Sequence, residues 1–315
     1  MSFVPLPRRL LLFLAILLIG IAWGGSVMLA QVAVRSGLSP FAVTIWELAW
    51  SLPFLAAGCA ATGRWPLWSR RWLVLYLAVG AFGTLMPNTF SYWAAAHVTG
   101  GIISLTIATA PMITLVLAVL LGTDVATRAR LVGLALGATA IALLVLPGEA
   151  LPEGAAVAFV FVALLAPVCY AVETNTVARF VPPDADPLAL LLGATLAMLA
   201  IGAPFMMLTG QGSTAPAPWN MGTWGESEWA LLGLTVLHVT AYSGYLRIVQ
   251  VAGPVFASQV GTVVTVSGVL LSVWFLGERN TPFVWTALVL LLAGLALVRP
   301  REDDDVVRAE AVTRP

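Results

Sequence analysis

Glu47 and Glu173 interrupt long apolar stretches of this chain, and His238 lies near the middle of another. An acid held in the core of a bilayer costs about 2–3 kcal/mol on insertion scales, so it must face a cavity, a partner or a proton. An imidazole at that depth titrates near neutral pH, which suits it to relay protons. At helical spacing Pro40, Thr44, Glu47 and Ser51 share one face, so Glu47 belongs to a polar stripe. Glu173 shares a face with Cys169, Tyr170 and Thr176, and His238 lines up with Thr235, Tyr242 and Tyr245.

Each of these groups has two readings. Glu47 and Glu173 either bind protons or a cationic group of a ligand, or are held structurally. For Glu173 the structural partners would be Arg179 or Arg247. His238 either lines a cavity, transfers protons, or donates to a helix carbonyl. His97 reads as an interfacial residue. Further polar stripes run through Gly80, Thr84, Asn88 and Ser91 beside Pro87, through Thr106 and Thr109 beside Pro111, and through Ser258, Gln259, Thr262 and Thr265. Such stripes either line a pathway or mediate helix contacts in lipid. Pro111 predicts a kink that frees a carbonyl.

The elements that must position these groups are long apolar helices. Of 315 residues, 60% are hydrophobic and 10% charged, against roughly 25% charged in a soluble domain. Ten stretches are long enough to span a bilayer, where about 20 residues suffice. They fall at 10–31, 40–60, 72–95, 100–121, 127–146, 154–177, 187–208, 228–250, 254–276 and 281–299. The first is too long for the core of a signal peptide and reads as a helix. Segment 147–153, rich in Pro, Gly and Glu, divides the chain into two halves of five spans, 1–146 and 154–299. Residues 300–315 form a mixed-charge tail expected to be disordered. The halves echo each other where Gly122 and Gly277 close apolar runs with Leu-Gly. An odd number of crossings gives the second copy the opposite topology, and inverted repeats characterise secondary transporters.

All fifteen basic residues are arginine. With the N-terminus cytoplasmic, thirteen arginines fall inside and only Arg35 and Arg279 outside, a strong positive-inside bias. Both termini are therefore expected in the cytoplasm. Trp65, Trp68 and Trp72 cluster toward one predicted interface and Trp219, Trp224 and Trp229 toward the other. Gly20-xxx-Gly24 and Gly133-xxx-Gly137 allow close helix approach, within the chain or between two copies.

Composition also excludes. Without lysine there is no Schiff base to retinal or pyridoxal. Cys59 and Cys169 lack C-x-x-C spacing and read as small buried hydrophobes. The chain carries no H-E-x-x-H, metal-spaced His/Cys set, P-loop or G-x-S-x-G. Zero net charge argues against nucleic acid. No enzyme, cofactor or metal is expected.

Trp23-Gly24, the segment from Val98 through Leu121-Gly122, and that from Val251 through Leu276-Gly277-Glu278-Arg279 resemble the drug/metabolite transporter superfamily, in particular its ten-helix EamA-type members. The resemblance spans about residues 10–299. Three positions depart from it. Thr123 follows Gly122 where such domains place a glutamate, Val266 stands where the first half has Pro111, and Trp46-Glu47 replaces a common Arg-Phe pair. The resemblance implies an all-α polytopic protein of two inverted five-helix repeats. It would move small metabolites, amino acids or drugs, often outward, across the cytoplasmic (inner) membrane by alternating access. The cavity is expected from Trp23, Glu47, Asn88, Tyr92, Tyr170, Glu173, His238, Tyr242 and Gln259, with Glu47, Glu173 and His238 as candidates for proton coupling. The partners are then the substrate, the bilayer and protons, with the chain a monomer or homodimer.

Overall fold

The computed structural model describes residues 8–122, 124–145, 157–182, 184–211, 222, 224–252 and 259–298. Every regular element among them is helical. In chain order they are α1 (Arg8–Arg35), α2 (Pro40–Thr62), α3 (Arg70–Ala95), α4 (Gly100–Leu120), α5 (Arg128–Val145), α6 (Ala158–Phe180), α7 (Pro187–Leu208), α8 (Glu226–Ala252), α9 (Gln259–Leu276) and α10 (Pro282–Leu297). Eight are long and apolar enough to cross a membrane; α10 is a shorter apolar helix. The 27-residue α8 is the polar exception, with Glu226 and Glu228 in its first turn, where acids complement the helix dipole. The tail 300–315, the divider 147–153, Ser258 and Trp219 lie outside the described residues.

Local sequence sets the helix ends. Ser39 accepts from the Ala42 amide ahead of Pro40, Thr99 accepts from Ile102, and Asp186 accepts from Leu188 and Ala189 ahead of Pro187. These are N-caps, with proline at a first position whose N–H has no helical partner anyway. Gly122 (φ 70°) and Gly277 (φ 65°) both turn left-handed, so the two Leu-Gly endings are the same backbone device.

Two helices are interrupted by proline. Pro87 lacks the N–H that would bond Gly83, and α3 widens into a π-turn at Ala81–Leu85, where Met86 N–H donates to the Ala81 carbonyl. Pro111 splits α4 into Gly100–Ile107 and Ala110–Leu120, and the Thr109 hydroxyl donates to the Thr106 carbonyl at 2.6 Å. The expected kink is present. The hydroxyls beside it serve the helix's own backbone rather than an opening.

The packing follows a swap of the two halves. Helix α1 packs on α8 and α9, and correspondingly α6 packs on α3 and α4. The α2–α8 contact is matched by α7–α3. Three pairs map onto themselves: α2–α7, α4–α9 and α5–α10. Small residues make the closest approaches. A β-carbon on Gly24 would lie 2.8 Å from the Gly268 nitrogen of α9, and one on Gly133 would lie 2.7 Å from the Gly294 carbonyl of α10. Both Gly-xxx-Gly motifs are therefore spent on contacts within the chain. Cys59 and Cys169 are free and buried, as small hydrophobes would be.

Candidate functional site

Glu47 is the hub of the interior. Helix α2 buries it to 4% exposure, and three side chains from two other helices close on its carboxylate. Asn88 Nδ2 (3.0 Å) and the Tyr92 hydroxyl (2.6 Å), both from α3, donate to Oε2. His238 of α8 places Nδ1 2.5 Å from Oε1. An ionised carboxylate has no hydrogen to give, so Nδ1 carries it in that state. Hydrogen bonds to a charged group are the strong class, worth about 1.5–3 kcal/mol each. This explains how an acid stands in an apolar helix without an arginine nearby.

The network continues outward. Asn88 is held at both ends, because its Oδ1 accepts from the Tyr170 hydroxyl of α6 at 3.3 Å. Trp23 of α1 lies with its ring centroid 5.9 Å from those of His238, Tyr242 and Tyr245. Trp23, Tyr170, Glu173, His238, Tyr242 and Tyr245 all remain half-buried, along the space between their helices. Helices α1, α2, α3, α6 and α8 thus converge, drawn from both halves.

Glu173 adjoins this space from α6, one turn beyond Tyr170. Its carboxyl carbon would meet a β-carbon on Gly83 at 2.9 Å, so the π-turn of α3 and the absent side chain there admit it. No ion pair joins it to Arg179 among the described residues; that guanidinium lies over Phe180 instead. Gln259 starts α9, half-buried, and makes no hydrogen bond to the Glu47 network. His97 is exposed and stacks on Phe159 at 3.5 Å.

The chain's sequence also matches a known family. A model of the EamA-like transporter family matches residues 10–146 and again 158–299. The chain belongs to the EamA-like transporter family. The double match agrees with the swapped packing of the halves, and the family gives the chain a role in membrane transport. A protein of known crystal structure is similar at 20% identity and a TM-score of 0.58, covering 92% of this chain and 96% of its own, which is a likeness of fold. A comparison with curated proteins finds no match.

A second polar cluster was not foreseen as such. Glu278, directly after Gly277, accepts from the Gly100 amide (3.0 Å), Gln31 Nε2 (2.7 Å) and Arg35 (3.4 Å). It thereby caps α4 and ties α1 to the end of α9. The Leu-Gly-Glu-Arg ending supplied the signal: a left-handed glycine aims the next side chain back toward its neighbours. The first-half counterpart works differently, with Asp124 bonded to the buried Arg130 at 2.8 Å. Beside Glu278 a cavity of about 610 Å³ is lined by Gln31, Arg35, Glu226, Ser227 and Leu276. It sits at the Arg35 end of α1, separate from the Glu47 network.

Proposed function

We propose that the protein is a secondary transporter that moves a small metabolite, amino acid or drug-like molecule outward across the cytoplasmic membrane by alternating access, coupled to protons at Glu47 and His238. Ten spans in two inverted repeats with both termini cytoplasmic underlie this reading. The thirteen-to-two arginine asymmetry supports that topology.

The observation that carries the proposal is the Glu47–His238 pair. It joins α2 of the first half to α8 of the second, in a space shared by both. Alternating access moves one part of a transporter against another around a fixed site. A charge pair across that junction is therefore placed where protonation can alter the conformational balance. The proton enters from His238, whose side chain keeps 21% exposure against 5% for Glu47. Protonating Glu47 removes the negative charge facing the imidazole and weakens the α2–α8 tie. Trp23, Tyr170 and Tyr242 supply aromatic walls for the substrate.

The test begins with a metabolite profile of cells with and without the protein, which names the substrate. Flux of that compound into reconstituted vesicles is then followed under an imposed pH gradient. Flux that responds to the gradient in wild type but not in Glu47→Gln supports coupling. Flux indifferent to the gradient removes the coupling and leaves a passive uniporter. No flux of any profiled compound removes the transporter.

A further inference from the structure

Every hydrogen of the Glu47 network runs toward the carboxylate. Asn88 Nδ2 and the Tyr92 hydroxyl both donate to Oε2, which fills the two lone-pair sites of that oxygen. A further proton is therefore taken up at Oε1, which faces His238 Nδ1 at 2.5 Å. The same carboxylate orients Asn88, because an amide oxygen turned toward it would be repelled. Asn88 Oδ1 then accepts the single hydrogen of the Tyr170 hydroxyl, at 3.3 Å. That hydroxyl keeps only lone pairs for a group outside the network.

The other nitrogen of His238 registers how many protons the pair holds. With Glu47 ionised and the imidazole neutral, Nδ1 carries the ring hydrogen and Nε2 is a bare acceptor. One added proton has two resting places. Either an imidazolium faces a carboxylate, or the Nδ1 hydrogen passes to Oε1 and a neutral acid faces an imidazole protonated on Nε2. In both, Nε2 carries a hydrogen. A single proton thus turns Nε2 from acceptor to donor, on whichever side of the short bond the shared hydrogen rests. Nε2 has no hydrogen-bond partner among the described residues, and it is not sealed in, since the side chain keeps 21% exposure. Helix α8 packs mainly on α1 and α2. From α1 the imidazole meets the uncharged Trp23, and from α2 it meets Glu47. Its own helix adds the phenols Tyr242 and Tyr245, and α6 brings Tyr170 and Glu173 within electrostatic reach of Tyr242.

We infer that His238 Nε2 is a specificity-determining contact, to which the substrate donates an N–H or O–H and from which a proton on the Glu47–His238 pair excludes it. This rests on the transporter reading and makes the coupling an exchange. The pair is anionic while Nε2 accepts. The Tyr170 hydroxyl, at the far end of the network, likewise offers only lone pairs. Both outer ends of the network therefore suit a hydrogen-bond donor in the unprotonated state. Proton uptake puts a hydrogen where the ligand's own hydrogen was, so the ligand leaves.

Full-length protein, purified without a histidine tag into lipid nanodiscs, tests this in two ways. The chain has two histidines, and nitrogen-15 NMR of the labelled rings is assigned with His97→Gln. In alkaline buffer His238 should carry its hydrogen on Nδ1 with Nε2 bare, and acid should add a hydrogen to Nε2. A bare Nδ1 with a protonated Nε2 in alkali overturns the inference. Calorimetry, corrected for empty nanodiscs, then compares 2-phenylethylammonium with its N,N,N-trimethyl analogue, and indole with 1-methylindole. Each pair shares its charge, and only the first member has an N–H. At least one N–H compound is expected to bind at least tenfold more tightly than its methylated partner. Its affinity should fall about tenfold per pH unit below the Nε2 transition, as exclusion by one proton requires, and His238→Gln should flatten that slope. Equal binding within both pairs, no binding of either N–H compound, a flat wild-type profile or a slope that survives in His238→Gln overturns the inference. The two readings fail separately. Donor-selective, proton-opposed binding without flux in vesicles sinks transport alone, whereas gradient-driven flux of a compound with no N–H or O–H sinks the donor contact alone.

Discussion

Within the Glu47 network, bond length ranks the neighbours. Tyr92 donates to a carboxylate at 2.6 Å, whereas Tyr170 donates to a neutral amide at 3.3 Å. Removing the first hydroxyl should cost about 1.5–3 kcal/mol, and removing the second about 0.5–1.5 kcal/mol. Tyr92→Phe is therefore expected to lower the thermal midpoint in detergent clearly more than Tyr170→Phe, and equal drops would refute the ranking. Glu47→Gln keeps the volume but leaves His238 without its counter-charge; substrate flux should fall at least tenfold and lose its response to a pH gradient. The individual site residues were legible in the sequence because charge is rare in apolar helices. Glu47, Glu173 and His238 each stood out alone. Their pairing did not, since Glu47 and His238 belong to different halves and nothing in local spacing joins them. Tyr245 was visible in the α8 stripe, but only the fold brings it to Trp23.

Elements differ in how tightly they are held. At Gly24 a side chain would press on Ser267 and the α9 backbone, whereas at Gly261 a β-carbon meets nothing within 4 Å. Backbone cannot yield as a flexible side chain does, and overpacking costs about 1–3 kcal/mol or more. Gly24→Val should abolish monodisperse protein on size exclusion while Gly261→Ala elutes as wild type. Glu278 gives a second contrast. Its carboxylate serves α1, α4 and α9, while adjacent Arg279 is exposed. Glu278→Ala should destabilise by about 2–4 kcal/mol, read as a fall in thermal midpoint, and Arg279→Ala should be near neutral. Helix positions were legible from hydropathy and from Ser, Thr, Asp and Pro at their starts. The π-turn before Pro87 was not, because a proline signals only that a hydrogen bond is lost. How the ladder closes around the loss depends on what packs against it, here Glu173.

For the whole molecule, the swap relation among helix contacts makes each half depend on the other. Helix α1 finds its main neighbours in α8 and α9, and α6 finds its own in α3 and α4. Severing the chain between Pro147 and Glu153 should therefore leave either piece unstable alone, while co-expression restores a complex that co-purifies; a first half stable by itself would count against the scheme. Inverted topology is checked by single cysteines in a Cys59→Ala, Cys169→Ala background. One at Asn280 should react with an impermeant maleimide from outside intact cells, and one at Arg64 only after permeabilisation. The tie made by Glu278 also bears on biosynthesis. Arg35 and Gly100 leave the ribosome early, yet their shared acceptor is among the last parts of the chain to be made. Until then the end of α1 has only the bonds that Gln31 and Arg35 give the Val98 carbonyl. Helix α1 is thus made long before its main neighbours, α8 and α9, and must wait in the bilayer for both.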